Sequence, residues 1–332
     1  MKPLLLAGMI ILTLVVLVVA PFVGMTSISP ESVIAAGADD PESRIFWSLR
    51  VPRVMLGFLA GASMSLAGMV FQAMFRNPLA TPFTLGVSSG AALGATLYIR
   101  LGLSFAVFGV SGVTLSAFAG ALLAISVVYG LIRSRPGSST GTMLLAGVAV
   151  NFTFSSFILM VHYTSDMANS FNILRWLMGR LDTVGPDEPL SLLPLMVFGG
   201  LAALALHREL NLMSVGEEIA VGRGVDVSRY RKVLFLAMSV MIGGVVAICG
   251  PIGFVGMMAP HICRLVIGPD HRWLGPMSLL FGGVFLVVCD ALSRVLAAPA
   301  ELPVGVITAL LGGPFFLWLL TGRRGASVGA GT

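Results

Sequence analysis

The sequence predicts an all-α, polytopic membrane protein with about ten transmembrane helices. Of its 332 residues, 57% are apolar and only 11% are charged, a composition that excludes a soluble domain. The charged residues collect in short gaps between apolar runs of roughly membrane-spanning length, and a hydrocarbon core of about 30 Å requires about 20 apolar residues in a helix. Because lipid offers no water to backbone N–H and C=O groups, such runs must be helical.

Each of ten apolar runs is expected to form one helix. In chain order they are residues 4–23, 54–75, 83–99, 105–132, 143–163, 190–206, 233–249, 252–267, 274–296 and 303–320. The first run is longer than the apolar core of about 7–15 residues in a signal peptide, so we expect it to remain as the first span. No gap between runs exceeds about 30 residues, so residues 1–332 are expected to form a single transmembrane domain.

The basic residues predict the orientation of the chain. With the N-terminus inside and ten alternating spans, 13 of the 20 Lys and Arg residues lie inside, as the positive-inside rule requires. Both termini are then cytoplasmic. The seven basic residues expected outside are Arg44, Arg50, Arg53, Arg100, Arg175, Arg180 and Arg294. The basic residues are too dispersed to form a nucleic-acid-binding patch.

Small residues and prolines indicate tight helix packing and an internal repeat. Glycines recur at four-residue spacing in the series Gly86, Gly90 and Gly94, which lets helix backbones approach closely in lipid. The spans that begin near residues 54 and 233 each lead into a proline-broken segment and run in opposite directions. This arrangement is typical of an inverted repeat.

Residues 86–90 match the G-x-S-x-G motif of serine hydrolases. That motif needs a strand–turn–helix context, whereas the sequence places it near the start of a membrane helix. An intramembrane hydrolase could use Ser88 with His162 or His261 as the base. Five small residues in a packing helix explain the match better.

The sequence shows neither a nucleotide-binding motif nor the spacing of metal ligands. A phosphate-binding P-loop needs a lysine in its motif, and the only lysines are Lys2 and Lys232, outside any such motif. The histidines and the three cysteines lack the spacing of metal ligands, so no metal site is predicted and the cysteines are expected to be buried. If ATP drives this protein, another subunit binds it.

Asp290 is the one acidic residue inside an apolar run. A carboxylate in the membrane is a functional candidate by default, and an ion-coupled secondary transporter would use it as a proton relay. Arg294, four residues later on the same helix face, offers an ion-pair partner. Structural pairing is the favoured interpretation.

The cytoplasmic gap 207–232 mixes apolar and charged residues with glycines. Ser214 followed by acidic residues is typical of a helix N-terminus. A solvated linker would not need the apolar residues of this segment. We therefore expect a short amphipathic helix that docks against a partner or lipid headgroups.

Several blocks, taken together, resemble the FecCD-type permeases of bacterial ABC importers for iron–siderophore, haem and vitamin B12. They include Arg50-Val51-Pro52-Arg53 and Arg76-Asn77-Pro78-Leu79-Ala80. The other blocks are residues 61–72, 85–91, 144–148, 216–218, 250–256, 259–261, 301–305 with Thr308, and 312–316. They follow in the family's order over about residues 45 to 320.

The resemblance implies a type II ABC importer permease that moves a metal chelate, ferric siderophore first among the possible cargoes, across the bacterial inner membrane. It implies a homodimer with two cytoplasmic ATPase subunits and a periplasmic or lipid-anchored binding protein. The chain itself would be no enzyme and would bind no cofactor, since ATP and magnesium belong to the ATPase. A receptor without substrate flux is the remaining alternative.

The resemblance also implies roles for individual residues. Arg50, Arg53 and Arg294 match arginines that meet acidic residues of the binding protein, and we expect them to be exposed on the outer face. The segment that seats in the ATPase would contain Ser214, Gly216, Glu217, Glu218, Ala220, Gly222, Arg223 and Gly224. Relatives usually carry an apolar residue where this chain has Arg223, which leaves the local helix length open.

Inner gates would lie at residues 77–81 and 138–142, with Asn77, Pro78, Leu79, Thr140 and Thr142 as candidates. Asn151, Ser155 and Ser156 in the following span would line the path, and hydrogen bonds within the packed helices explain them equally well.

Overall fold

A computed structural model describes residues 1–26, 28–35, 40–107, 109–133 and 140–322. Each of the ten predicted runs corresponds to one helix of at least 13 residues. These are α1 (Lys2–Val19), α2 (Val51–Phe75), α3 (Val87–Arg100), α4 (Gly112–Arg133), α5 (Thr140–Tyr163), α6 (Asp187–Ala205), α7 (Val227–Cys249), α8 (Val255–Ile267), α9 (His271–Val295) and α10 (Val304–Gly322). The all-α prediction is confirmed.

Short elements occupy the connections between the long helices. They are the helices Ala20–Phe22, Pro30–Ala35, Pro41–Ile45, Phe46–Arg50, Pro82–Leu85, Met167–Leu177, His207–Val215 and Glu217–Gly222. The strands Ala106–Val107 and Val110–Ser111 form a small antiparallel hairpin in which Ala106 pairs with Ser111. Sequence analysis did not predict this hairpin.

Seven of the described helices are long and apolar enough to cross a membrane. The helices α3 and α8 have 14 and 13 residues, which gives them a length of about 20 Å, too short for a hydrocarbon core of about 30 Å. The runs 83–99 and 252–267 are therefore helical, as predicted, but their helices are shorter than a full span. Each of these helices follows a non-helical or 3₁₀ segment that ends at a positive φ, Gly86 at 83° and Phe254 at 67°.

The two short helices follow α2 and α7, which begin the halves of the expected inverted repeat. Broken helices in corresponding positions of two halves are typical of transporters with inverted repeats. Non-helical backbone at membrane depth is tolerated where protein buries it or where it lines a water-filled cavity.

Helix α2 lies at the centre of the bundle, and every residue from 60 to 75 is buried. It contacts α9 closely at Gly61, where an added Cβ would lie 2.3 Å from the Gly282 carbonyl oxygen. The helices α3 and α4 meet in the same way at Gly90 and Gly120. The glycine spacing thus does serve close packing, as predicted.

The helices α1, α5, α6 and α10 form the periphery and expose large apolar side chains. On α5 these include Leu145, Phe152 and Leu159, and on α10 Leu317 and Trp318. Such faces need lipid or another protein chain to cover them.

Candidate functional sites at the two ends of the bundle

The predicted outer end of the bundle holds a buried ion cluster around Asp290, which is 1% exposed. The Arg53 guanidinium donates to this carboxylate from Nε at 3.0 Å, and its Nη2 lies 2.9 Å from Oδ1. Arg294 Nε lies 3.2 Å from the other carboxylate oxygen. The predicted pairing of Asp290 with Arg294 is confirmed, whereas the second partner, Arg53, was not predicted.

Arg53 links this cluster to the surface. Its Nη1 lies 2.8 Å from Glu301 and 3.6 Å from Asp182, two partly exposed acids from separate outer loops. Asp182 also approaches the exposed Arg175 at 3.8 Å. Sequence reasoning missed both acids because no local spacing connects them to Arg53.

Arg50 and Arg294 hold the carbonyl oxygens that follow α1. Arg50 donates to the carbonyls of Pro21 and Phe22 at 3.1 and 3.2 Å and also bonds Thr26. Arg294 donates to the carbonyl of Val23 at 2.7 Å. The carbonyls at a helix C-terminus have no partner within the helix, and these guanidinium groups supply donors.

The expectation that these arginines are exposed is wrong. Arg50 is 8% exposed and Arg294 3%, and the Arg53 side chain is 14% exposed. The arginines can be buried because oxygen atoms of the outer loops and of Asp290 replace water around each guanidinium group.

A cavity of about 1060 Å³ opens above the ion cluster. It is bounded by the loop after α1, the helix Met167–Leu177 and the outer ends of α2, α6 and α9. The ionisable residues that line it are Arg50, Arg53, Arg175, Arg180, Asp182, Asp187, Glu188, Arg294 and Glu301.

At the opposite end, the segment 207–232 forms two short helices with a sharp break between them. The helix His207–Val215 ends at Gly216, and Glu217–Gly222 begins immediately afterwards. Ser214 lies inside the first helix and donates to the Asn211 carbonyl, so the expectation that it caps a helix is wrong. Gly216 occupies the N-cap position because its extended backbone lets the chain turn between the helices.

The second helix exposes an apolar surface. Ile219 and Val221 are 50% and 62% exposed, while Ala220 is buried and its carbonyl accepts from the Val225 N–H. Glu217 and Glu218 lie in the first turn, as predicted. Glu217 forms an ion pair with Arg231 of α7.

The carboxy-terminal part of the segment has a defined turn. The helix ends at Gly222, Arg223 follows as its C-cap, and Gly224 has a φ of 82°. A residue with a side chain would be strained at Gly224. Arg223 is exposed, so the departure from the apolar residue of relatives places a charge at the surface.

The first helix of the segment is held to α9 by Asn211. Its side-chain amide donates to Asp270 Oδ1 at 2.8 Å, and its Oδ1 accepts from the His271 backbone N–H at 2.9 Å. Asp270 in turn caps α9 by accepting from the Arg272 N–H. The hydrogen bond from Asn211 lowers the pKa of the Asp270 carboxyl below its ordinary value.

The candidate gate residues are only partly described. Asn77 accepts from the Leu79 N–H at 2.9 Å in an exposed turn that includes Pro78. Residues 138 and 139 and the Thr140 side chain lie outside the described residues, and Thr142 is half-buried on α5.

The polar residues of α5 differ in their surroundings. Asn151 and Ser155 are half-buried, and the exposed Ser156 donates to the Phe152 carbonyl of its own helix. This bond is consistent with the interpretation of Ser156 as a packing residue, and the positions of Asn151 and Ser155 leave their roles open.

The other sequence candidates occupy structural positions. Ser88 is buried at the start of α3, and Ser89 donates to the Gly86 carbonyl, without the strand that a nucleophile elbow requires. His261 packs against the rings of Phe315 and Phe316. The three cysteines are buried, as predicted. Among the described residues, no group of three or more His, Cys, Asp or Glu could hold a metal.

Comparison with known proteins gives matches along almost the whole chain. Residues 11–322 match the FecCD transport family. The chain is 43% identical to the cobalamin import system permease protein BtuC of Halobacterium salinarum over 87% of its own length and 76% of that protein. It is 36% identical to the hemin transport system permease protein HmuU of Yersinia pestis over 97% of both chains.

A solved structure gives the same result for the fold. It is the structure of a transporter described as a metal-chelate type ABC transporter, in an inward-facing conformation. The two chains share 29% sequence identity and superpose with a TM-score of 0.84. The alignment covers 97% of this chain and 99% of that chain.

Proposed function

This chain belongs to the FecCD transport family, and on that premise we propose that it is the transmembrane permease subunit of an ATP-driven importer of a metal chelate. The observation that carries the proposal is full-length similarity, since 97% of this chain matches 97% of a hemin permease. The cargo leaves chemically unchanged, so the subunit is a transporter and no enzyme.

The cytoplasmic helix Glu217–Gly222 would seat in a cleft of an ATPase subunit. Its exposed Ile219 and Val221 supply apolar area for such a contact, and the Glu217–Arg231 pair fixes its position on α7. ATP and magnesium would be bound by the ATPase, because this chain has no P-loop. This arrangement requires both chain termini to be cytoplasmic.

The outer cavity would receive a periplasmic or lipid-anchored binding protein. An acidic side chain of that protein could replace the partly exposed Glu301 as the partner of Arg53. It could reach Arg50 and Arg294 only if the loop after α1 released them, because these arginines bond its carbonyl oxygens.

A second copy of the chain would complete the path. The exposed apolar faces of α5 and α10 are suited to such a contact, and the half-buried Asn151 and Ser155 on α5 would face the cargo. The turn at Asn77, Pro78 and Leu79, with Thr140 and Thr142, would close the inner side. The assembly would lie in the bacterial inner membrane.

The cargo is proposed as a class. The relatives import cobalamin and hemin, which are both large metal chelates, and a ferric siderophore belongs to the same class. Within the described part of the bundle, the apolar and small residues form no binding site that would distinguish cobalamin, hemin and ferric siderophore.

An ion-coupled secondary transporter is the rival function, with Asp290 as the proton relay. The geometry opposes it, because two guanidinium groups contact this carboxylate and stabilise its charged form. A relay must gain and lose its proton within the transport cycle.

The test is uptake by proteoliposomes that contain the permease with the ATPase and the binding protein encoded beside it. Labelled cobalamin, hemin and ferric hydroxamate are offered separately. We expect uptake of one of them with ATP and binding protein present, and none with a non-hydrolysable ATP analogue. Uptake that follows an ion gradient without ATP would contradict the proposal.

A further inference from the structure

We propose that Asn211 is a positioning residue that makes α9 move with the coupling segment (residues 207–232), so that movement at the ATPase reaches the ion cluster at the outer end. The inference rests on the proposed function of an ATP-driven importer. Three contacts of α9 support it: one at the inner end of the helix, one in its middle and one at its outer end.

The inner contact is made by a single side chain of the segment 207–232. The Asn211 amide donates to Asp270 while its oxygen accepts from the His271 N–H, so both halves of the amide are used. The oxygen also lies 2.6 Å from His271 Nδ1. The contact fixes the N-cap and first residue of α9 with respect to the helix His207–Val215.

The helix that carries Asn211 is itself anchored. Leu210 is fully buried and Met213 almost so, and the helix packs against α2 and α9. The second helix of this segment, Glu217–Gly222, is attached to α7 through the ion pair of Glu217 with Arg231. The two halves of the coupling segment are therefore attached to different transmembrane helices, and Gly216 separates them.

The middle contact makes α9 and α2 one rigid unit. An added Cβ at Gly282 would lie 2.2 Å from Ser65 Cβ and 2.6 Å from the Gly61 carbonyl oxygen. Backbones in such close contact cannot slide past one another without a steric clash. With 25 residues each, the two helices extend about 37 Å.

The outer contact is the ion cluster. Asp290 and Arg294 lie in the last turns of α9, and Arg53 lies at the outer end of α2. A displacement of the inner end of α9 is therefore carried to the residues that bound the outer cavity and to Val23, whose carbonyl accepts from Arg294.

The experiment exchanges the two side chains of the inner contact. Asn211→Asp removes the donor and places a carboxylate against Asp270, so it should break the contact. Asp270→Asn retains an oxygen to accept from Asn211 and still caps α9. In the double variant, the amide introduced at position 270 can donate to the carboxylate introduced at position 211, which restores a hydrogen bond with the direction reversed.

The assay uses the complete complex with its ATPase and binding protein, in proteoliposomes with the cargo identified by uptake. It records the ATP hydrolysed per molecule imported and the ATPase rate with and without binding protein. Asn211→Asp should keep its unstimulated ATPase rate but need about tenfold more ATP per molecule imported, the factor expected for loss of a hydrogen bond to a charged group. Asp270→Asn alone and the double variant should both resemble the wild type.

The control is Asp166→Asn, which alters the N-cap of the outer helix Met167–Leu177 and leaves α9 unchanged. If Asn211→Asp fails to assemble, Asn211→Ala, which adds no charge, takes its place. Wild-type coupling in the Asn211 variant, or no rescue in the double variant, would overturn the inference. A wild-type complex that does not import with ATP would instead refute the proposed function.

Discussion

Replacement of Asp290 by asparagine tests whether this residue is a structural partner or a proton relay. Asp290 is 1% exposed, and its carboxylate forms ion pairs with the guanidinium groups of Arg53 and Arg294. Removal of one member of a buried ion pair costs about 3–5 kcal/mol of folding free energy because the other charge stays buried. Arg53 retains Glu301, and Arg294 retains the Val23 carbonyl, so we expect a loss at the lower end, about 3 kcal/mol.

The assay is thermal unfolding of the detergent-solubilised protein, with uptake measured per molecule of folded permease. The control is Glu301→Gln, which removes a partly exposed partner of the same arginine and should cost less than about 1 kcal/mol. We expect Asp290→Asn to unfold at a lower temperature and to retain ATP-dependent uptake per folded molecule. An unchanged unfolding temperature together with abolished uptake would refute the structural account and favour the relay.

Three further predictions concern packing, the loop after α1 and the ATPase contact. Gly282→Val forces a side chain into Ser65 and should lower stability by about 1–3 kcal/mol in the same unfolding assay. Gly8→Ala, with no atom within 4 Å of the added Cβ, should not lower stability. Equal stability of the two variants would contradict the close contact of α2 and α9. Arg50→Ala frees the carbonyls of Pro21, Phe22 and Thr26 and should speed protease cleavage in this loop about tenfold. Alanine at the exposed Arg44 should not change the cleavage rate. Equal cleavage of the two variants would show that Arg50 does not hold the loop. Ile219→Asp should weaken ATPase binding in a pull-down titration about tenfold without lowering thermal stability. Ser228→Asp, which places the same charge at another exposed position, should leave ATPase binding unchanged. Unchanged binding in the Ile219 variant would exclude Ile219 from the contact.

The sequence predicted the helices well because the membrane leaves the backbone few alternatives. All ten apolar runs correspond to helices, and the glycine pairs that permit close approach were visible as four-residue spacings. The runs 83–99 and 252–267 are themselves shorter than a full span of about 20 residues. The sequence did not show that their first residues would form a 3₁₀ segment before α3 and a non-helical segment before α8.

The side-chain partners were predictable only where they are local. The spacing of four residues revealed the Asp290–Arg294 pair, but the Arg53–Asp290 contact joins residues 237 positions apart, which no local pattern records. The arginines were expected to be exposed because they match family arginines that meet a binding protein and were counted on the outer face. Their burial depends on the carbonyls after α1, which become available only when the fold places that loop beside them.

The orientation of the chain is the claim on which the coupling account most directly depends, and cysteine labelling tests it. Val184 at the outer cavity and Val221 on the helix Glu217–Gly222 are 76% and 62% exposed, and the three native cysteines are buried. Each valine is replaced by cysteine, and intact cells with a permeable outer envelope are treated with a membrane-impermeant maleimide. We predict that the reagent labels Val184→Cys in intact cells and Val221→Cys only after the membrane is opened. Labelling of both variants from the same side would contradict the account.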